Sequence, residues 1–228
     1  MPQSVALYRR IYRAFRAPVS RYDCGRKCAP LNGGVPVCCD TEHALPIVDR
    51  HEWRLLDSRS DLWRLYLKRD AETRRERADM HRDCRLIACK GAEHCERENR
   101  SLSCRAFPFF PYITAKDEFA GLAPFWTFAD RCWLMNNLQV VDRGFVGEFV
   151  AAHELLFAAD KQERAANREH SAAARRVFTR WNRLLPLIGR AGEYLAVEPR
   201  SHRIRPADWR EYLRHETFRD EPPAPAVR

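Results

Sequence analysis

Apolar and polar positions alternate with a helical period at the start of the chain. Val5, Tyr8, Tyr12 and Phe15 fall on one face of a predicted helix, flanked by Leu7 and Ile11, and Arg9, Arg10, Arg13 and Arg16 fill the other side. Ser4 can cap this helix and Pro18 stops it. The period is lost over 22–46, where Asn32-Gly33-Gly34 and the prolines at 30, 36 and 46 predict a loop. Asp49 then opens a helix, with Glu52 as its capping-box partner and Trp53 and Leu56 as its apolar stripe. A second helical start is expected at Ser60, burying Leu62, Trp63, Tyr66 and Leu67. From Lys68 to Asp83 the pattern is charged nearly all round, and pairs such as Asp70/Arg74 and Glu72/Arg75 predict an exposed helix.

Residues 84–124 read as irregular. Phe107, Phe109, Phe110 and Tyr112 are interrupted by Pro108 and Pro111, which argues against a central strand and for an apolar collar. Phe125 to Val141 is apolar without a deciding period. From Gly144 the pattern is helical again: Phe145, Phe149, His153, Leu156 and Phe157 share one face, and Val177, Trp181, Leu184 and Ile188 another, with Pro186 as a kink or stop. Pro206 is expected to open a last helix carrying Trp209, Tyr212 and Leu213, and the proline-rich end from Asp220 to be disordered. The fold class expected is mainly α: an irregular cysteine-rich metal-binding region with long loops, then a helical C-terminal part. The corresponding units are an amphipathic helix over 1–20, a cysteine-cluster domain over 21–124, a helical region over 125–219 and a tail over 220–228.

Cysteine placement adds chemistry to this pattern. Of nine cysteines, eight fall in two groups of four: Cys24, Cys28, Cys38 and Cys39, then Cys84, Cys89, Cys95 and Cys104. Four thiolates complete a tetrahedral zinc shell or the usual ligand set of an iron–sulfur cluster. The spacings C-x3-C-x9-CC and C-x4-C-x5-C-x8-C match neither common zinc fingers nor ferredoxin runs, so density is the signal. A vicinal pair makes a strained disulfide, and an odd total leaves one thiol unpaired, so metal chemistry is favoured over bridges. Cys132, among Trp133, Leu134 and Met135, reads as a buried core thiol. Of His51, His81 and His94, the last adjoins Cys95 and is the candidate substitute ligand. His153-Glu154 lacks the second histidine of a zincin helix, because position 157 is Phe157.

CGRKC, the CC pair, an intervening helix and a run ending in CRAFPFFP together resemble the YkgJ-type cysteine-cluster family, a zinc- or iron-chelating domain. The likeness covers roughly residues 22–112. It implies that Cys24, Cys28, Cys38, Cys39, Cys95 and Cys104 stand at ligand positions, with Cys84 or Cys89 in the place of the cysteine preceding Cys95. The segment between the last two cysteines, ERENRSLS, departs from the family's Arg-Pro. A more distant resemblance, to flagellin lysine-N-methylases, implies a methylase-like modifying enzyme as an alternative.

Charge and hydropathy set the remaining bounds. The formal charge of +9, carried mostly by dispersed arginines, fits a solvated surface better than a nucleic-acid patch. No apolar run approaches the roughly 20 residues that cross a bilayer, and the arginine-rich start lacks a secretory core, so a cytoplasmic location is expected. The expected function is cysteine-ligated metal binding, by an iron–sulfur cluster ([4Fe–4S]) or zinc, for electron transfer or as an accessory to modification of a partner protein. The alternative from another class is a zinc-stapled module that binds nucleic acid or protein.

Overall fold

Among the described residues, eight short strands, most hidden by prolines or by their brevity, make the architecture α+β rather than mainly α. The computed structural model describes residues 4–68, 70–80 and 83–219, and leaves out the side chains of Glu72, Arg75, Glu76 and Asp79. His81, the tail from 220 and the Glu72/Arg75 pair therefore lie outside the described residues.

Helix α1 (Val5–Ala14) forms as its period dictates, with the Ser4 hydroxyl accepting from Leu7 N at 3.1 Å. A short α2 (Cys24–Cys28) follows, then strand β1 (Ile47–Asp49) and α3 (Arg50–Asp57). Asp49 caps α3 through His51 N and Glu52 N, but the reciprocal half of the capping box is not made, because Glu52 turns inward. The helix expected from Ser60 is instead strand β2 (Trp63–Leu65), and α4 (Ala71–Asp79) begins only after Asp70 caps it. Strand β3 (Cys84–Cys89) takes part of a stretch read as irregular, and lies between β1 and β2 in an antiparallel three-stranded sheet.

After α5 (Leu102–Ala106) comes a five-stranded antiparallel sheet in chain order: β4 (Phe109–Ile113), β5 (Phe119–Pro124), β6 (Leu185–Gly189), β7 (Tyr194–Val197) and β8 (Ile204–Pro206). Helices α6 (Arg143–Ala159) and α7 (Lys161–Trp181) are inserted between β5 and β6. Proline did not forbid β4, because β4 is an edge strand and one side of it needs no ladder donors. Helix α7 covers that edge: Ser171 Oγ accepts from Ile113 N at 2.9 Å, and Arg175 donates to Ile113 O at 2.9 Å. Two positions beyond Leu122↔Ile188, where the pairing ends, the β5–β6 register would set Pro124 against Pro186, neither able to donate. Gly121, at φ 148°, lets these strands approach; a Cβ there would stand 2.1 Å from Ile188 O. In place of the final helix expected at Pro206, that residue ends β8, and 3₁₀ turns follow at Trp209–Glu211 and Glu216–Phe218.

One apolar core joins α1, α3 and α6 with Phe109, Leu122 and Ile188 from the sheet. A second fills the space between α7 and the other sheet face, through Phe110, Tyr112, Phe178, Leu187 and Val197. The Phe125–Val141 stretch is neither helix nor strand but three 3₁₀ turns. No helix among the described residues is long and apolar enough to cross a membrane.

Candidate functional site

Three separate chain segments bring predicted ligand cysteines to one cleft of about 1760 Å³. Helix α2 supplies the first two at i and i+4, one face of a single turn, with Asp23 capping it through Arg26 N at 3.3 Å. Gly33 and Gly34, at φ 60° and 87°, then reverse the chain, and Gly34 N donates to Ala29 O at 2.8 Å. The turn delivers Cys38 and Cys39 with their sulfurs 3.9 Å apart. Tetrahedral Zn–S bonds of about 2.3 Å imply S···S edges of about 3.8 Å, so this pair is already at the spacing of two ligands of one ion. Cys95, on the loop after β3, and Cys104, on α5, complete the set of six lining thiols that the sequence singled out.

Polar clamps hold these short elements in place. Glu52 Oε1 accepts from Leu102 N and from Tyr12 OH, both at 2.6 Å, tying the start of α5 to α1 and α3. Its carboxyl is pushed up to about 7, by burial first. Arg105 donates to Phe15 O, to Glu98 O at 2.6 Å, to Arg100 O at 3.1 Å and to Tyr12 O at 3.3 Å, and lies 4.3 Å over the Tyr12 ring. Ser101 caps α5 through Cys104 N at 3.2 Å.

Arg100 is the cation among the sulfurs. Its Nε donates to Cys95 Sγ at 3.0 Å, and its half-buried guanidinium lies within electrostatic reach of Cys38 and Cys104. Burial pushes the Cys24 thiol up to about 11 and Cys104 to about 12, and raises Cys28. Cys38 is raised by its hydrogen bond to Cys39 and by burial; Cys39 is lowered by that same bond and by Arg100. Without a metal most of these thiols are protonated at neutral pH, so a soft cation has to displace protons to bind.

Not every predicted ligand joins the group. Cys89, at one end of β3, is within electrostatic reach of Cys39 and Cys95 and accepts from Gly91 N at 3.4 Å. Cys84, at the other end, faces Asp49 across the ladder and is raised to about 11 by burial and by acidic neighbours led by Glu163. An offset of five residues along the strand separates the two by about 16 Å and turns their side chains to opposite faces, so they cannot share one ion. His94 is exposed and does not line the cleft; His51 accepts from Arg50 Nε at 3.3 Å. Phe107 alone of the expected aromatic collar reaches the lining, while Phe109, Phe110 and Tyr112 are strand residues of the core.

The cysteine-rich metal-binding region expected as part of the fold needs correction. Among the described residues, no three His, Cys, Asp or Glu side chains stand close enough to hold an ion. The thiols sit on separate short elements that line the cleft. Cys132 and Arg100 were missed as lining residues. Cys132 is buried as expected, yet adjoins Cys24 and Cys28, and only its distance in sequence from the two groups hid it. Arg100 lies between two candidate ligands in the chain, a position that offered a signal. No family model, curated protein or solved structure matches the chain.

Proposed function

We propose that the cleft is a soft-metal centre, in which thiolates of α2, of the Val37–Cys39 turn and of the Cys95–Cys104 segment hold an iron–sulfur cluster for electron transfer or for assisting modification of a partner protein. The observation that carries this reading is the meeting of six candidate ligands, Cys24, Cys28, Cys38, Cys39, Cys95 and Cys104, at one cleft from three segments. The donor set fits such a group: soft sulfurs, an N–H donor to Cys95 from Arg100, and apolar walls from Phe15, Val37, Leu55 and Leu134. Arg100 offsets the negative charge that bound thiolates accumulate. Binding requires the lining thiols to draw together and lose their protons. The resemblance to YkgJ-type domains agrees with this reading.

Zinc is the second reading, favoured by the 3.9 Å separation of the Cys38 and Cys39 sulfurs. Anaerobic purification with elemental analysis and visible spectra distinguishes the two. Brown protein containing iron and acid-labile sulfide, and bleaching on reduction, is the expected result. Colourless protein with stoichiometric zinc transfers the assignment to the second reading, and protein with neither metal overturns both.

A further inference from the structure

Above the thiols, the lining of the cleft is strongly cationic. Nine arginines contribute to it against two acidic residues, Asp23 and Glu98. Arg9, Arg13 and Arg16 stand at i, i+4 and i+7 on the exposed face of α1 and just beyond it, a row about 10 Å long. Arg59 and Arg97, also exposed, join them on the lining. None of these five makes a salt bridge among the described residues, whereas Arg21 and Arg26 are paired with Asp142 and Asp23. Concentrating unpaired like charges costs stability unless a counter-charge arrives, and guanidinium forks suit carboxylates and phosphates alike.

Two features decide between those anions. Single-stranded nucleic acid binds such grooves by stacking bases on free aromatic faces. Here the aromatic side chains of the lining are already engaged. The Tyr12 ring is capped by Arg105 at 4.3 Å and Arg59 at 5.7 Å, and Phe15 is buried against Phe145 and Phe149. Tyr22 packs edge-on to Trp133, and Phe107 against Phe125 and Phe128. The cleft also exceeds the roughly 300–1,000 Å³ usual for a small-molecule site, and so has room for a chain segment.

We propose that the arginine-lined mouth of the cleft docks an acidic segment of a partner protein, bringing that partner over the thiols. This inference goes beyond the metal reading and does not depend on it, since the arginine row is present whether or not the sulfurs bind an ion.

The test uses the full chain as purified, and fluorescence anisotropy with three labelled probes: a ten-residue Glu/Asp-rich peptide, its Gln/Asn counterpart and decathymidylate. Two variants of equal net charge are compared, Arg9→Glu/Arg13→Glu at the mouth and Arg176→Glu/Arg180→Glu on the exposed side of α7, with circular dichroism to check that each is folded. The expected result is salt-sensitive binding of the acidic peptide but not of its amide counterpart, weakened at least tenfold by the mouth pair and less than twofold by the α7 pair. Equal weakening by both pairs overturns the proposal, as diffuse charge then accounts for the binding. Tighter binding of decathymidylate than of the peptide, lost in the mouth pair, also overturns it in favour of nucleic acid.

Discussion

The thiol-bearing region from α2 to α5 and the five-stranded sheet with α6 and α7 are built on different principles. In the first, the elements are short, and what fixes them is polar: Glu52 on Leu102 N and Tyr12, Asp49 accepting from Tyr8 OH at 2.5 Å, and Arg105 on four backbone carbonyls. In the second, two helices of 17 and 21 residues bury Phe145, Phe149, Leu156 and Phe178 against strands whose inward side chains are nearly all covered. Apolar packing is non-directional and tolerates small shifts, whereas a buried ion or carboxyl that loses one partner is left with its full desolvation cost. The sheet region is thus a platform, and the cleft region a set of short elements tied to one another and to α1 by a few directional contacts.

Substitutions that remove one contact from each region sharpen this contrast. Arg105→Met leaves several carbonyls without their donor and should cost roughly 3 kcal/mol or more in urea unfolding, with the loss concentrated in hydrogen exchange of α2 and α5. An even loss across both regions would break the distinction.

Glu52 gives the next effect, through pH. Its folded value of about 7 lies above the ordinary 4.5, so between those values the folded state binds more protons than the unfolded one. Stability therefore falls as pH rises through that window, by on the order of 3 kcal/mol at most. His153 works against this trend. Burial lowers it from 6.5 to about 4, so its contribution is complete above 6.5 and is lost as pH falls through 4. The difference between wild type and Glu52→Gln isolates the carboxyl: the variant should gain on wild type progressively from pH 4.5 to 7, and parallel curves would contradict the assignment. In the sheet region, Ser171→Ala should cost only roughly 1–2 kcal/mol, by leaving Ile113 N unpaired, without changing exchange in the cleft loops.

The two regions also differ in how far their sequences could be read. Helices α1, α3 and α6 were legible because their apolar periods are regular and, at Ser4 and Asp49, a cap agrees with them, whereas of α7 only the end around Val177 and Trp181 was read, on a helical face carried on to Ile188, which lies in β6. The strands were not. β1, β2 and β8 are three residues each, too short to display a period of two, and β4 and β6 contain Pro111 and Pro186 where a ladder donor is expected. Whether such a proline is tolerated depends on which neighbour the strand has, which is a tertiary fact. The clustering of cysteines predicted eight ligands in two groups of four; six of these residues line one cleft, and spacing alone did not set Cys84 and Cys89 apart from them. Only the strand, with its alternation of faces, separates them. The Glu52 and Arg105 clamps were invisible for the same reason: their partners lie 50 and about 90 residues away.

Residue-by-residue thiol protection is the most direct test that the cleft sulfurs form the metal centre. Anaerobically prepared protein would be alkylated with iodoacetamide before and after chelation of its metal, and each cysteine followed by peptide mass spectrometry. Cys24, Cys28, Cys38, Cys39, Cys95 and Cys104 are predicted to become reactive together when the metal leaves, with the rate at Cys84 unchanged. Protection that includes Cys84, or that is lacking at the six cleft thiols, would contradict the account.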